Sequence, residues 1–143
     1  MDVEDQALLF NLLHDGTIER IATFKHGYKL SIDIPYLAEK LDPTFQHIFV
    51  DLRYVEVFYF EMSDSSSNIF KVNELIDLQL EILEADQESD RVKVFCRSSE
   101  KDLVGFLIFK TSQIEIQDPD GNTIGISKLQ RLCSEYWDML GKR

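Results

Sequence analysis

The clearest pattern in the chain is the alternation from Tyr28 to Ile34, in which Tyr28, Leu30, Ile32 and Ile34 are apolar and Lys29, Ser31 and Asp33 are polar. A period of two sends the two sets to opposite sides of a pleated strand, so this segment predicts a strand with one face on the core and one in water, as antiparallel sheets allow. Thr17 to Phe24 is a second β-rich run, joined to the first through a turn at His26-Gly27. Pro35 ends the alternating strand because it has no N–H for a ladder. Pro35 to His47 is expected as a loop or short helix across a sheet edge, with Asp42-Pro43 as an internal break. From Ile48 to Glu61 an aromatic strand follows, and its alternation changes phase near Tyr54 and Val55, which predicts a bulge or bend.

Ser63 to Asn68 is polar and short-chained and reads as an exposed loop. A helical turn is expected near Asn73 to Asp77. Further strands are signalled by Leu78, Leu80 and Ile82, by Val92, Val94 and Cys96, by Leu103 to Phe109, and by Ile114 and Ile116. Such spacing argues sequential antiparallel neighbours. Asp118-Pro119-Asp120-Gly121-Asn122 predicts a tight hairpin between strands at Ile116 and Ile124.

Helices are expected at the two ends. Val3, Ala7, Leu8, Phe10, Leu12 and Leu13 follow the acidic Asp2, Glu4 and Asp5, which suits a brief helix ending near His14 and broken by the permissive Gly of Asp15-Gly16. Leu129, Leu132, Cys133, Tyr136, Trp137 and Leu140 fall on one helical stripe, with Ser127 and Gln130 at capping-box spacing and Gly141 as a stop. A one-sided sheet needs a cover, so the stripe is assigned to core packing rather than to a partner. The fold class read from these patterns is α+β: an antiparallel β-sheet meander with a short N-terminal helix and a C-terminal amphipathic helix packed on one face, a single domain over residues 1–143.

Composition adds two constraints. With 44% hydrophobic and 29% charged residues, 143 residues suffice for one core and lie far from the disordered regime. Twenty-six Asp and Glu against fifteen Lys and Arg give a formal charge of −11, which repels a phosphate backbone and favours a basic partner surface. Nucleic acid is therefore not expected as a partner. The opening residues are acidic, and the apolar stretch Ala7 to Leu13 is interrupted by Asn11, so neither a signal peptide nor a membrane span is expected and the chain reads as cytoplasmic. Cys96 and Cys133 fall inside apolar patterns and read as core thiols.

Candidate chemistry is sparse. Asp118, Asp120 and Asn122 open like a calcium loop, but Gly121 comes three positions after the first Asp instead of five, and the twelfth position is Leu129 instead of Glu. His14, His26 and His47 are scattered without HxH or HExxH spacing, so no metal site is expected. His14 and Asp15 have acid/base chemistry, yet adjacent side chains on a turn do not ordinarily converge. Cys96 lies in a strand pattern, Ser63 to Ser67 lack a nucleophile elbow, and neither GxGxxG nor GxxxxGK occurs. No catalytic residue, cofactor or metal ligand is assigned. The aromatic stretch Phe45 to Glu61 holds one arginine and three carboxylates and reads as sheet core rather than a stacking surface for single strands.

Leu13-His14-Asp15-Gly16-Thr17-Ile18, a two-strand hairpin, Tyr36-Leu37-Ala38 and a terminal Tyr136-Trp137 occur in that order. This order resembles a group of small bacterial proteins, some of which are similar to immunity proteins encoded beside polymorphic toxins. The resemblance spans nearly the whole chain and implies a cytoplasmic, non-enzymatic binding protein. The acidic charge agrees with an inhibitor of a basic protein, since carboxylate-rich faces speed capture. The partner-binding candidates are Asp64, Glu84, Asp86, Glu88 and Asp90, with the Ser-rich loop close in sequence. The alternatives are a homodimer assembled through exposed aromatic sheet and a small-ligand domain whose pocket forms from residues distant in sequence.

Overall fold

In the computed structural model, which describes residues 1–64 and 67–141, the chain runs α1 (Val3–Leu12), β1 (Thr17–Phe24), β2 (Gly27–Asp33), α2 (Pro35–Ala38), β3 (His47–Met62), β4 (Asn68–Ile69), α3 (Val72–Leu78), β5 (Leu80–Glu88), β6 (Arg91–Ser98), β7 (Leu103–Gln117) and α4 (Ile126–Gly141). The α+β class holds: seven strands form one antiparallel sheet with helices at both ends of the chain. Two meanders, β1-β2-β3 and β5-β6-β7, make up most of it. Of the Ser-rich loop expected over residues 63–68, Asn68 instead opens β4, and residues 65 and 66 lie outside the described residues.

The sheet order is β2-β1-β5-β6-β7-β3-β4, and β2 also pairs with β3, so six strands close into a ring and β4 hangs on the end of β3. Closure removes most free strand edges. The two meanders join where β3 runs beside β7, from Phe49 opposite Gln117 to Met62 opposite Gly105. They join again where Thr17 and Ile18 of β1 meet Glu81 and Leu80 of β5. Both long strands must bend to serve two meanders. In β3 the bend falls where the alternation slips: Tyr54 adopts φ 56°, and the register with β7 shifts between Val55 and Val57. The inward set keeps its parity across the bend, with Leu52 before it and Phe58 after it both buried and Tyr54 turned out to solvent between them. The strands expected separately at Leu103 to Phe109 and at Ile114 and Ile116 are one strand, since no turn residue interrupts them.

The inward set of the alternation fills the ring. Leu30, Ile32, Ile48, Val50, Leu52, Ile82, Val94, Cys96, Leu107 and Phe109 are fully buried, each large aliphatic or aromatic side chain contributing roughly 1.5–3 kcal/mol. Past Glu81, β5 runs on beyond the start of β1, and α1 covers its open edge. Asn11 stands in for the missing strand, its side chain donating to the Ala85 carbonyl at 2.7 Å and accepting from the Ala85 N–H at 2.8 Å. Phe10 packs its ring 5.2 Å from that of Phe109.

α1 ends at Leu12 with Leu13 as its cap, and the left-handed residue of the turn that follows is Asp15, with φ 69°, rather than Gly16. Gly16 is required for space, because a Cβ there would come within 2.8 Å of Ile32 and 2.9 Å of the Leu13 carbonyl. At residues 118–122 the turn forms, with the Asp118 carboxylate accepting from the N–H groups of Asp120 and Asn122, but no second strand follows it. The return is a single bridge, Gln117 to Thr123, because α4 begins at Ile126. That start also places Ser127 inside the first turn of α4 rather than at its cap. No helix among the described residues is long and apolar enough to cross a membrane.

Candidate functional site

Three segments far apart in sequence, around His14, Tyr36 and Tyr136-Trp137, meet at one place. His14 follows α1, and its Nδ1 lies 2.8 Å from the Asn11 carbonyl; a carbonyl only accepts, so Nδ1 carries the proton in this contact. Pro35 opens α2 with its φ already helical and sets Tyr36 on the first turn. The Tyr36 hydroxyl donates to the His14 carbonyl at 2.7 Å. From α4, Tyr136 stacks on Tyr36 with ring centroids 4.7 Å apart, and Trp137 stacks on His14 at 5.3 Å with an interplanar angle of 19°. Trp137 also meets Tyr36 edge-on at 6.0 Å. Burial, together with the nearby Cys133, Asp15 and Tyr136, holds the Tyr36 hydroxyl far above the usual phenol range. It therefore remains a donor and locks the cluster.

Only part of this cluster is covered. Trp137 is 41% exposed and Met139 50%. Tyr36, Glu39, Lys40, Pro43, Tyr136 and Met139 border an open groove of about 410 Å³. Asp15 lies near Tyr36, Glu39 and the cation Lys40 line the groove, and the exposed Glu135 and Asp138 flank Tyr136-Trp137 in the chain; of these carboxylates Glu135 alone has a described ion pair, to Arg131 at 3.8 Å. The result is an aromatic centre with a mostly acidic rim.

The acidic residues singled out from sequence do not all converge: four follow β5 and its turn, and Asp64 stands apart. Glu84, Asp86 and Glu88 lie along β5, and Asp90 follows in the turn to β6. Asp64 lies beside Arg97, Ser98 and Val104, at the other end of the β6–β7 hairpin from Asp90. Two of the five are already engaged: Asp90 pairs with Lys110 at 2.9 Å and Glu88 with Lys93 at 3.2 Å. The hydrogen bond from Lys110 lowers the Asp90 carboxyl below its ordinary range. Asp64, Glu84 and Asp86 have no ion pair among the described residues.

Two constellations on the outer face of the β1-β2-β3 meander were not legible in sequence. Asp51, 4% exposed, faces Lys29 at 3.6 Å and Arg53 at 3.5 Å, and Arg53 continues to Glu115 at 3.1 Å. One Asp51 oxygen has no hydrogen-bond partner, and the four charges cancel, so this network reads as a structural tie across β2, β3 and β7. The second consists of Glu19, Asp33 and His47, whose ligand atoms all lie within 4.8 Å of one another. His47 Nε2 is 3.2 Å from Glu19. Burial and the neighbouring Glu19 raise the Asp33 carboxyl above its ordinary value, with His47 opposing them. Only the strand register reveals this grouping, since Asp33 and His47 are direct partners in the β2–β3 ladder.

Cys96 is wholly buried, which pushes its thiol up to about 12, and burial raises Cys133 as well. Neither is poised as a nucleophile at neutral pH. Comparison with protein-family models, with curated proteins and with solved structures finds no match to this chain.

Proposed function

We propose that the chain is a non-enzymatic binding domain that captures a basic protein, in the manner of an immunity-type inhibitor, through the aromatic cluster of His14, Tyr36, Tyr136 and Trp137. The observation that carries this reading is the convergence of those residues from three distant segments into one half-exposed patch. Trp, Tyr and Met are enriched at interface centres, where the rigid rings of Trp and Tyr bury much area at little entropic cost. The carboxylates at the rim add steering and partner choice rather than bulk affinity. A formal charge of −11 extends the same preference over long range.

The test is capture from lysate of the native host at low and at moderate salt, with mass spectrometry of the retained proteins. One basic protein held stoichiometrically at low salt and released at moderate salt is the expected result. Recovery of the bait alone contradicts the reading.

A second reading, a homodimer, draws support from Phe70, which is 62% exposed beside the two-residue strand β4 and stacks on Tyr59 at 5.2 Å. It predicts a concentration-dependent rise in mass by light scattering, abolished by Phe70→Ser.

A further inference from the structure

We infer that Glu19, Asp33 and His47 form a binding site for a divalent transition-metal ion of the zinc class. This inference is independent of the proposed partner-binding function.

The three ligands come from three adjacent strands and lie in a row on the outer face. In β2 and β3, Ile32 and Ile48 point into the core, so the alternation turns Asp33 and His47 outward as direct partners. Glu19 is the extra residue of a bulge: Ile18 pairs with Ile32 and Arg20 with Ser31, leaving Glu19 without a partner on β2. A bulge of this kind re-aims one side chain and frees its backbone groups. The freed Glu19 carbonyl is satisfied by the Gln79 side chain, which donates to it at 3.0 Å and to the Ile76 carbonyl at 2.9 Å. Gln79 does this from a left-handed backbone, φ 49°, at the end of α3. The bulge is thus pinned from outside the β1–β2 hairpin.

The chemistry of the donor set selects the ion. One imidazole and two carboxylates carry a charge of −2 with His47 neutral, matching a dication. Calcium and magnesium prefer oxygen alone, whereas zinc accepts nitrogen and oxygen together and commonly takes three protein ligands with one position open. Ligand atoms bound at 2.0–2.2 Å around a tetrahedral centre are about 3.4 Å apart, and the present spread of up to 4.8 Å is closed by small rotamer changes at half-exposed side chains. A bound dication also relieves the repulsion between Glu19 and Asp33.

The experiment is calorimetric titration of the full chain with zinc chloride in a non-chelating buffer, with a thermal melt of the same samples. Expected is one Zn(II) per chain at micromolar or tighter affinity, together with a zinc-dependent rise in Tm. His47→Gln and Glu19→Gln each weaken binding by about tenfold or more and lose the Tm rise, whereas His26→Gln retains both. Asp33→Asn provides an independent third variant, and circular dichroism confirms that each folds. Absence of saturable binding below millimolar zinc overturns the inference. So does binding that His47→Gln and Glu19→Gln leave unchanged.

Discussion

The two halves of α4 carry one continuous apolar stripe and meet opposite fates. Leu129, Leu132 and Cys133 are buried, with α4 held against α1 and α2, and Cys133 reaches the Leu12 carbonyl. One turn later Tyr136 and Leu140 are half-buried, Trp137 is 41% exposed, and Met139 beside the stripe is 50% exposed. The stripe outruns the body it packs on, and the side chains change where support ends: small and branched ones give way to Tyr, Trp and Met, which gain most from a second protein surface. The first half follows the rule that an amphipathic helix covers a core, and the second half follows it only in part.

The largest test of that contrast is Leu129→Ala. Its side chain is fully buried, so the change is expected to cost about 2–5 kcal/mol in urea unfolding; a cost below 1 kcal/mol would mean that the first half is not core. Tyr36→Phe, between the two halves, leaves the His14 carbonyl without its donor and is expected to cost about 1 kcal/mol. Trp137→Ala removes a ring stacked only in part and is expected to cost about 1 kcal/mol or less.

Alkaline titration sharpens the same picture. Tyr36 and Cys96 titrate higher in the folded chain than their ordinary values of 10.0 and 9.0, so the unfolded chain releases these protons first. Their contribution is fully present below pH 9 and is lost as the pH climbs toward 12. Tm is expected to fall through that window, and less steeply in Tyr36→Phe. The smallest expected effect is kinetic. Cys133, at the boundary of the two halves, should react with a thiol reagent before Cys96, which reacts only on global unfolding. Equal rates would mean that α4 does not open on its own.

Periodicity carried much of the fold. The alternation at Tyr28 to Ile34 located β2 and both of its faces, and the slip at Tyr54 located the bend of β3. Ring closure was out of reach because it depends on two non-sequential pairings, β1 with β5 and β3 with β7, and one of these is two residue pairs long. The aromatic cluster was half legible. His14, Tyr36 and Tyr136-Trp137 stood out as motifs, but their meeting depends on where α2 and α4 dock. Glu19, Asp33 and His47 gave no spacing signal, since their grouping needs the β2–β3 register and a bulge that no glycine or proline announces.

The proposed contact surface is the half-exposed end of α4. It is tested most directly by capture from host lysate with three baits in parallel: the natural chain, Tyr136→Ala/Trp137→Ala, and Asp64→Asn/Glu84→Gln/Asp86→Asn. The prediction is that the aromatic variant loses the basic partner while remaining folded by circular dichroism, and that the acidic variant retains it with a weaker salt dependence. Full retention by the aromatic variant would contradict the claim. Loss confined to the acidic variant would move the interface to the exposed carboxylates of β5 or to Asp64 after β3.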